Sequence, residues 1–385
     1  MSISKWPEQR AKEDFERILD PQGEVCGDMP DIGSEALLHW HEAMVKTRMF
    51  EDMALRLQRR GVFSVVAGGP GEEAIGVGAS AALQENDWLH PTYRQAGALM
   101  YWGFPIDRTF AAMLGHAPEH VRAALPLDPA DLPKLRSTPF PVFLGANIPL
   151  AAGAALADKL NHRAQVSLAF IGDGATSEGD FHDGLGLAGA LKVPLVVVIA
   201  NNGWSISVPT SRQTAAETLA QKAVAHGIPH RRVDGNDVFA VYLATKAALD
   251  AARRGEGPCL IEAVTYRMRA HTSNDDAQTY RDDAELHYWA KRDPIGRFEK
   301  YIERRGLVDE AYRTAQRKRI EAELRAAVKR AQSVPPTPPD TMFLNRLTGD
   351  EGWQFRHQQA ELEAELEGRN PFLDFDGGGL PEARS

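Results

Sequence analysis

Three runs of strand type, residues 166–171, 194–200 and 258–266, the first two apolar, stand out from a chain whose other apolar positions mostly recur at helical spacing. The first ends at Gly172-Asp173-Gly174 and is followed by a helical stretch from about 178 to 191; the second ends at Asn201-Asn202. A strand, turn, helix and strand in that order predict parallel neighbours with both polar turns at one sheet edge, the edge where ligands bind. The third run delivers the chain into 267–281, a polar stretch without periodicity that contains His271. A short strand over 231–235 precedes a helix running to about 254, for which Asn236 or Asp237 is the predicted cap. The pattern predicts an α/β chain with a mostly parallel sheet covered by helices on both faces.

Upstream, Ser34 is the predicted N-cap of a helix carrying Leu37, Leu38, Ala43, Met44, Met49, Met53 and Leu55. Residues 67–83 read as a glycine turn entering a helix with a small face of Gly76, Gly78, Ala79 and Ala81, so a neighbour can pack closely. Glu72 and Glu73 fall in its first turn, where they complement the helix dipole or serve a site; the sequence leaves both open. Residues 116–144 are proline-rich without period, which predicts an ordered surface loop. Helices are expected over 144–160, 213–225, much of 283–332 and about 351–366. The resulting division is an arm over 1–33, an α/β domain over 34–290, C-terminal helices over 291–334, and a Pro-rich arm and tail over 335–385.

The chemistry suited to this edge is a diphosphate held through a divalent metal. Gly172 and Gly174 let backbone approach phosphate oxygens, and the helix start beyond them offers free N–H groups. Asp173 supplies a carboxylate oxygen, Asn202 an amide oxygen and the turn near Trp204 a carbonyl; with phosphate and water these fill the octahedral shell of magnesium. Tyr93 and Arg94, after a segment broken by Pro91, make an anion site if they face the same edge, or a packed tyrosine beside a solvated arginine if they do not. His271 has the same two readings.

Composition narrows the classes. With 385 residues, 43% of them hydrophobic, the chain can bury a large core, and its net charge of -9 without a basic tract argues against nucleic acid and anionic membrane as partners. The run 193–200 is too short to cross a bilayer. The first twenty residues mix charge throughout and show no secretory pattern, and Cys26 and Cys259 suggest no disulfide framework. A cytoplasmic protein is expected.

Gly-Asp-Gly followed about thirty residues on by Asn-Asn resembles the thiamine diphosphate signature. From about residue 34 onward the chain resembles the alpha subunit of the two-subunit, thiamine-diphosphate-dependent decarboxylating component of 2-oxo acid dehydrogenase complexes. It is most similar to the branched-chain (2-oxoisovalerate) type. The segments that carry the resemblance are GEEAIGVGASAAL, TYRQAGALMY, GDGATSEGDFHDG, NNGWSISVPTS, RVDGNDVFAVY, LIEAVTYR, and HTSNDDAQTYR leading to YWAKRDPI. The resemblance implies the thiamine-diphosphate-binding fold with helical N- and C-terminal extensions. It implies Mg2+ ligation by Asp173, Asn202 and the Trp204 carbonyl, and diphosphate binding by Tyr93 and Arg94. It further implies cofactor contacts from Leu144, Gly172, Gly174, Ala175, Ser205 and His271, with His271 as the catalytic histidine and Arg267, Asp275, Tyr280 and Arg281 ordering its loop. Partners implied are a beta subunit in an alpha2beta2 heterotetramer, a lipoylated acyltransferase component and a 2-oxo acid. Two departures follow: Ala200 stands where an arginine often precedes the Asn pair, and residues 116–144 lack the family's Gly-rich, Met-His loop, leaving Lys134, Arg136, Ser137 and Thr138 as donors. A related enzyme acting on acetoin or a sugar-like ketone, or an inactive assembly subunit, is the alternative.

Overall fold

A computed structural model of the chain describes residues 14–128, 136–139, 142–343 and 353–367. Its strands are β1 (Trp88–His90), β2 (Ser167–Gly172), β3 (Leu195–Asn201), β4 (Trp204–Ser205), β5 (Val208–Pro209), β6 (His230–Asp234) and β7 (Cys259–Val264). Five form a parallel sheet in the order β1-β2-β3-β7-β6, and β4 with β5 make a small antiparallel hairpin just past β3.

The alternation of side chains along each strand sorts the sheet into two cores. Leu168, Phe170, Val196, Val198, Ile261 and Ala263 face one way, into a cluster with helices Ser34–Gln58, Glu73–Ser80 and Val238–Arg253. Ala169, Ile171, Leu195, Val197, Ile199 and Leu260 face the other way, against helices Asn147–Leu160 and Gly179–Leu191 and the 3-10 helix Ala220–His226. Both faces being covered, every residue of β3 is buried, which is why the central strands read as unbroken apolar runs. From β2 the chain steps to β3; from β6 it steps back to β7, over the opposite face. That reversal between β3 and β7 opens a crevice at the C-terminal strand ends. The C-terminal helices Pro294–Arg304 and Glu310–Gln332 contribute Phe298, Ile302, Ile320 and Leu324 to the first cluster.

Several local expectations change. Gly33, not Ser34, is the N-cap of the first long helix, and no side chain caps it. The helix expected over 144–160 begins at Asn147, because Gly145 at φ +84 breaks the approach beside Glu178 and Phe181. The helix expected over 213–225 is two pieces, Thr210–Gln213 and Ala220–His226. Thr214 is extended and its hydroxyl takes the Ala216 N–H, while buried Glu262 accepts the Ala220 N–H and starts the second piece. Within 116–144, Pro118–Ala124 is a helix with Pro in its first turn; only Val121 is buried, so no period is visible. Ser137 bridges Leu89 beside the sheet, and Lys134, Pro129, Pro133 and Pro141 lie outside the described residues. Of the N-terminal arm, residues 14–19 run beside β6: Glu16 bridges Val233, and the Ile18 and Leu19 N–H groups both donate to Asp237 at 2.7 Å. The same carboxylate caps helix Val238–Arg253. Of the tail expected over 335–385, residues 335–343 and helix Trp353–Glu367 are described.

Candidate active site

The sheet brings the polar turns together at one edge. Past β3 and β7 the ladder continues, with Thr265 N–H donating to the Asn201 carbonyl and Arg267 N–H to the Asn202 carbonyl at 3.1 Å, so Arg267 is carried beside the Asn pair. Asp173, at the end of β2, is 2% exposed and accepts from Thr210 Oγ1 at 3.1 Å and Gln213 Nε2 at 3.2 Å. Its turn is pinned by the Thr176 hydroxyl on the Asp173 carbonyl and by Lys222 Nζ on the Thr176 carbonyl, at 2.7 Å each. The two glycines of this turn differ. A Cβ on Gly174 would lie 2.3 Å from Ser205 Oγ, so that glycine is demanded by the protein's own packing; a Cβ on Gly172 would meet nothing within 4 Å, which leaves room beside the turn for a ligand.

Asn202 is buried between two partners. Its Nδ2 donates to Glu72 Oε1 at 2.8 Å and its Oδ1 accepts from Trp204 N–H at 3.3 Å. The Trp204 carbonyl accepts from Arg267 Nη1 at 3.1 Å, and Arg267 Nη2 reaches the Ile206 carbonyl at 2.6 Å and the Tyr280 hydroxyl at 2.9 Å. Ile206 sits at φ 53, a costly conformation for a β-branched residue, and the fully buried Arg267 holds the carbonyl of that turn. Arg94 is 8% exposed, hydrogen-bonds the Gly68 carbonyl and lies 3.2 Å from His271 Nδ1, with its guanidinium over the Tyr93 ring. Arg267 Nη1 approaches the same Nδ1 at 3.4 Å. A guanidinium only donates, so Nδ1 of His271 is an acceptor and the ring proton belongs on Nε2. Burial first, then Arg94 and Arg267, push the imidazole down to about 4, so it is neutral at pH 7 and remains an Nε2–H donor. Asp275 accepts the His271 backbone N–H at 2.7 Å and hydrogen-bonds Tyr280, and Arg281 holds the Arg267 carbonyl.

Tyr93, Arg94, Asn202, Trp204 and His271 thus share one network; Asp173 lies beside it, held by Thr210, which also approaches the side chain of neighbouring Asn201 at 3.5 Å. Ala175 is buried in the same turn, and Ser205 packs on Gly174. Leu144 is 42% exposed, one residue before the Gly145 turn that abuts Glu178. Ala200 is buried within β3.

The oxygen donors present, a carboxylate, an amide and a carbonyl, suit a hard cation. Among the described residues no group of three or more His, Cys, Asp or Glu could hold a metal by itself, so an ion here would need other ligands as well. Glu72 Oε2 is buried without a hydrogen-bond partner, a polar atom for which added positive charge or water would compensate.

Of the carboxylates behind this network, the sequence left Glu72 between helix capping and a site role, and no role was read for Glu51. Burial pushes Glu72 up to about 7, against the pull of Arg94 and the Asn202 amide. Glu51, on the buried face of the first helix, accepts the Gly69 N–H at 2.9 Å and is pushed up to about 8 by burial and the neighbouring Glu73. The visible signal was an acid in line with Met44 and Ala54 on an apolar helix face. A raised folded pKa means that the native state holds a proton the unfolded chain has released; its stabilising share is complete below the unfolded value near 4.5 and is lost as pH rises through about 8. Glu51→Gln is therefore expected to raise the unfolding free energy, measured by chemical denaturation, more at pH 8.5 than at pH 5, by a difference on the order of a few kcal/mol. Equal shifts at both pH values would show that Glu51 is ionised in the fold.

A family model described as "Dehydrogenase E1 component" matches residues 41–340. Among curated proteins the chain is 39% identical over 332 residues to the "Pyruvate dehydrogenase E1 component subunit alpha" of Staphylococcus aureus strain Mu50, covering 84% of this chain and 86% of that one. The protein of the same name from Acholeplasma laidlawii is 35% identical over 352 residues, covering 91% and 99%. No helix among the described residues is long and apolar enough to cross a membrane. The parallel sheet, the polar turns at its C-terminal edge and these matches place the chain in the dehydrogenase E1 component family, as an alpha-type chain of the thiamine-diphosphate-dependent decarboxylating enzymes of 2-oxo acid dehydrogenase complexes.

Proposed function

We propose that this chain binds magnesium and thiamine diphosphate at the C-terminal ends of β2 and β3 and, in an alpha2beta2 assembly with a beta-type subunit, decarboxylates a 2-oxo acid and passes the acyl group to a lipoylated acyltransferase component. The observation that carries this reading is the meeting of the Asp173 and Asn202 side chains with Arg94 and His271 at one sheet edge. Asp173, Asn202 Oδ1 and the second lone pair of the Trp204 carbonyl are the metal ligands. Arg94 and Tyr93 take the diphosphate, with Gly172, Gly174, Ala175, Ser205 and Leu144 as further cofactor contacts. When bound, the cofactor supplies a nucleophile and an electron sink for loss of carbon dioxide. The protein's part is position and charge: His271 is held neutral with its proton on Nε2, and the arginine pair on its Nδ1 keeps that tautomer. Such a donor suits a developing oxygen anion on the substrate or the proton movements of acyl transfer.

The motifs favour a branched-chain 2-oxo acid. The printed names of the relatives, pyruvate dehydrogenase E1 component subunit alpha, favour pyruvate as the second reading. The altered passage over 116–144 is a third influence, and the expectation drawn from it is that both acids are poor substrates beside another 2-oxo acid. A panel of 2-oxo acids on the chain assembled with its beta-type subunit decides. High kcat/KM for 3-methyl-2-oxobutanoate supports the branched-chain reading, and high kcat/KM for pyruvate alone replaces it. Low values for both with turnover of a longer or polar 2-oxo acid make 116–144 a specificity element, whereas turnover of acetoin and of no 2-oxo acid overturns the function.

A further inference from the structure

Whether Asn202 can serve a cation depends on which end of its amide faces the site. The oxygen is a ligand and the NH2 group repels positive charge. Two fixed neighbours settle the orientation before any metal arrives. Glu72 Oε1 receives Nδ2 at 2.8 Å, and the Trp204 backbone N–H, which can only donate, reaches Oδ1 at 3.3 Å. A flipped amide would set its NH2 against the Trp204 N–H and its oxygen against the Glu72 carboxyl oxygen, losing both hydrogen bonds. The two partners are unequal. The Trp204 contact is long for an N–H···O bond, so the shorter Glu72 contact carries most of the preference.

Glu72 is itself held in place. It is 5% exposed at the N-terminus of helix Glu73–Ser80, its Oε1 lies 3.8 Å from Arg94 Nε, and the helix is locked by glycines: a Cβ on Gly76 would meet Ala98 N at 3.2 Å, and one on Gly78 would meet the Val238 carbonyl at 2.8 Å. Small residues in this helix therefore let it pack deeply enough for its first turn to reach across to the end of β3.

Building on the metal site proposed above, we infer that Glu72 is a positioning residue for metal binding: its carboxyl oxygen fixes the Asn202 amide so that Oδ1 is presented to the cation. It is a role for an acceptor, not for a charge, and this separates it from generic electrostatic attraction. Removing the acceptor is expected to weaken the cation far more than removing the charge.

The test uses the full-length chain assembled with its beta-type subunit, saturating thiamine diphosphate, and Mn2+ as the probe, with free Mn2+ counted by electron paramagnetic resonance. Glu72→Met, similar in length but without an acceptor, is expected to weaken Mn2+ binding by about ten- to a hundredfold, the range for second-layer partners of metal ligands. Glu72→Gln, neutral but still an acceptor, is expected to stay within about threefold of the parent. Thermal midpoints measured without metal separate fold damage from site damage, and Glu72→Ala replaces the Met variant if that one fails to fold. Unchanged affinity on losing the acceptor, or a Gln variant as weak as the Met variant, would overturn the inference. Asp173→Ala in the same titration keeps the two proposals distinguishable. If it abolishes Mn2+ binding while the acceptor-free variants bind normally, only the role of Glu72 falls; if it too binds normally, the metal site itself is misplaced.

Discussion

Purified without a partner, the chain is expected to release no carbon dioxide from any 2-oxo acid above background, and adding a beta-type subunit is expected to bring turnover. The physical reason lies in the surface beside the site. Val142 is 76% exposed, Phe143 82% and Ile206 53%, and these side chains lie on the loop just before Leu144 and on the turn held by Arg267. Large apolar side chains left exposed beside Leu144 and on the Ile206 turn suit cover by another chain. The family resemblance adds a chemical reason, since the glutamate that activates the cofactor's pyrimidine there comes from the beta subunit. Carbon dioxide release with an artificial electron acceptor reads the activity of each preparation. Full turnover by this polypeptide alone would contradict the two-subunit reading.

How far the sequence exposed this arrangement depended on whether the signal was local. The strands over 166–171 and 194–200 were legible because both faces of β2 and β3 are buried, so that every position but buried Ser167 is apolar. The turn at Asp173 and the Asn pair were legible because polar residues interrupt those runs abruptly. Arg94 and His271 each carried two readings, a site residue or a solvated one, until the thiamine diphosphate signature chose between them, and only the fold sets them 3.2 Å apart. Glu51 was not legible as a member of the site, and Glu72 only as one of two open readings. Their partners, Asn202 and Gly69, are reached through packing, and a glutamate in a first helical turn has an adequate local explanation in the dipole.

The misread helices have the same cause. Over 213–225 the alanines suggested a continuous helix, but buried Glu262, far along the chain, decides where the helical turn begins by accepting the Ala220 N–H. Conversely, Pro118–Ala124 forms with one buried residue and could leave no apolar period. Gly174 was assigned to ligand approach, and its closest demand is the Ser205 side chain of the same protein. Local chemistry predicted the turns, while tertiary contacts chose their partners.

The central claim is that Asp173 and Asn202 bind a divalent cation that in turn holds the diphosphate. Asp173 is the only carboxylate in the proposed ligand set, and it is buried with two donors, Thr210 and Gln213, already aimed at one oxygen. Replacing it by alanine removes the charge that offsets the metal and leaves those donors without that acceptor, so the expected loss of thiamine diphosphate affinity is about a hundredfold or more, beyond what outer partners of a metal site cost. The decisive measurement is calorimetric titration of thiamine diphosphate into the assembled parent and Asp173→Ala proteins, each with magnesium and with a chelator. The account predicts tight binding by the parent with magnesium, weak binding by the parent with chelator, and weak binding by Asp173→Ala in both conditions. Asp173→Ala binding as tightly as the parent, with the same dependence on magnesium, would contradict it.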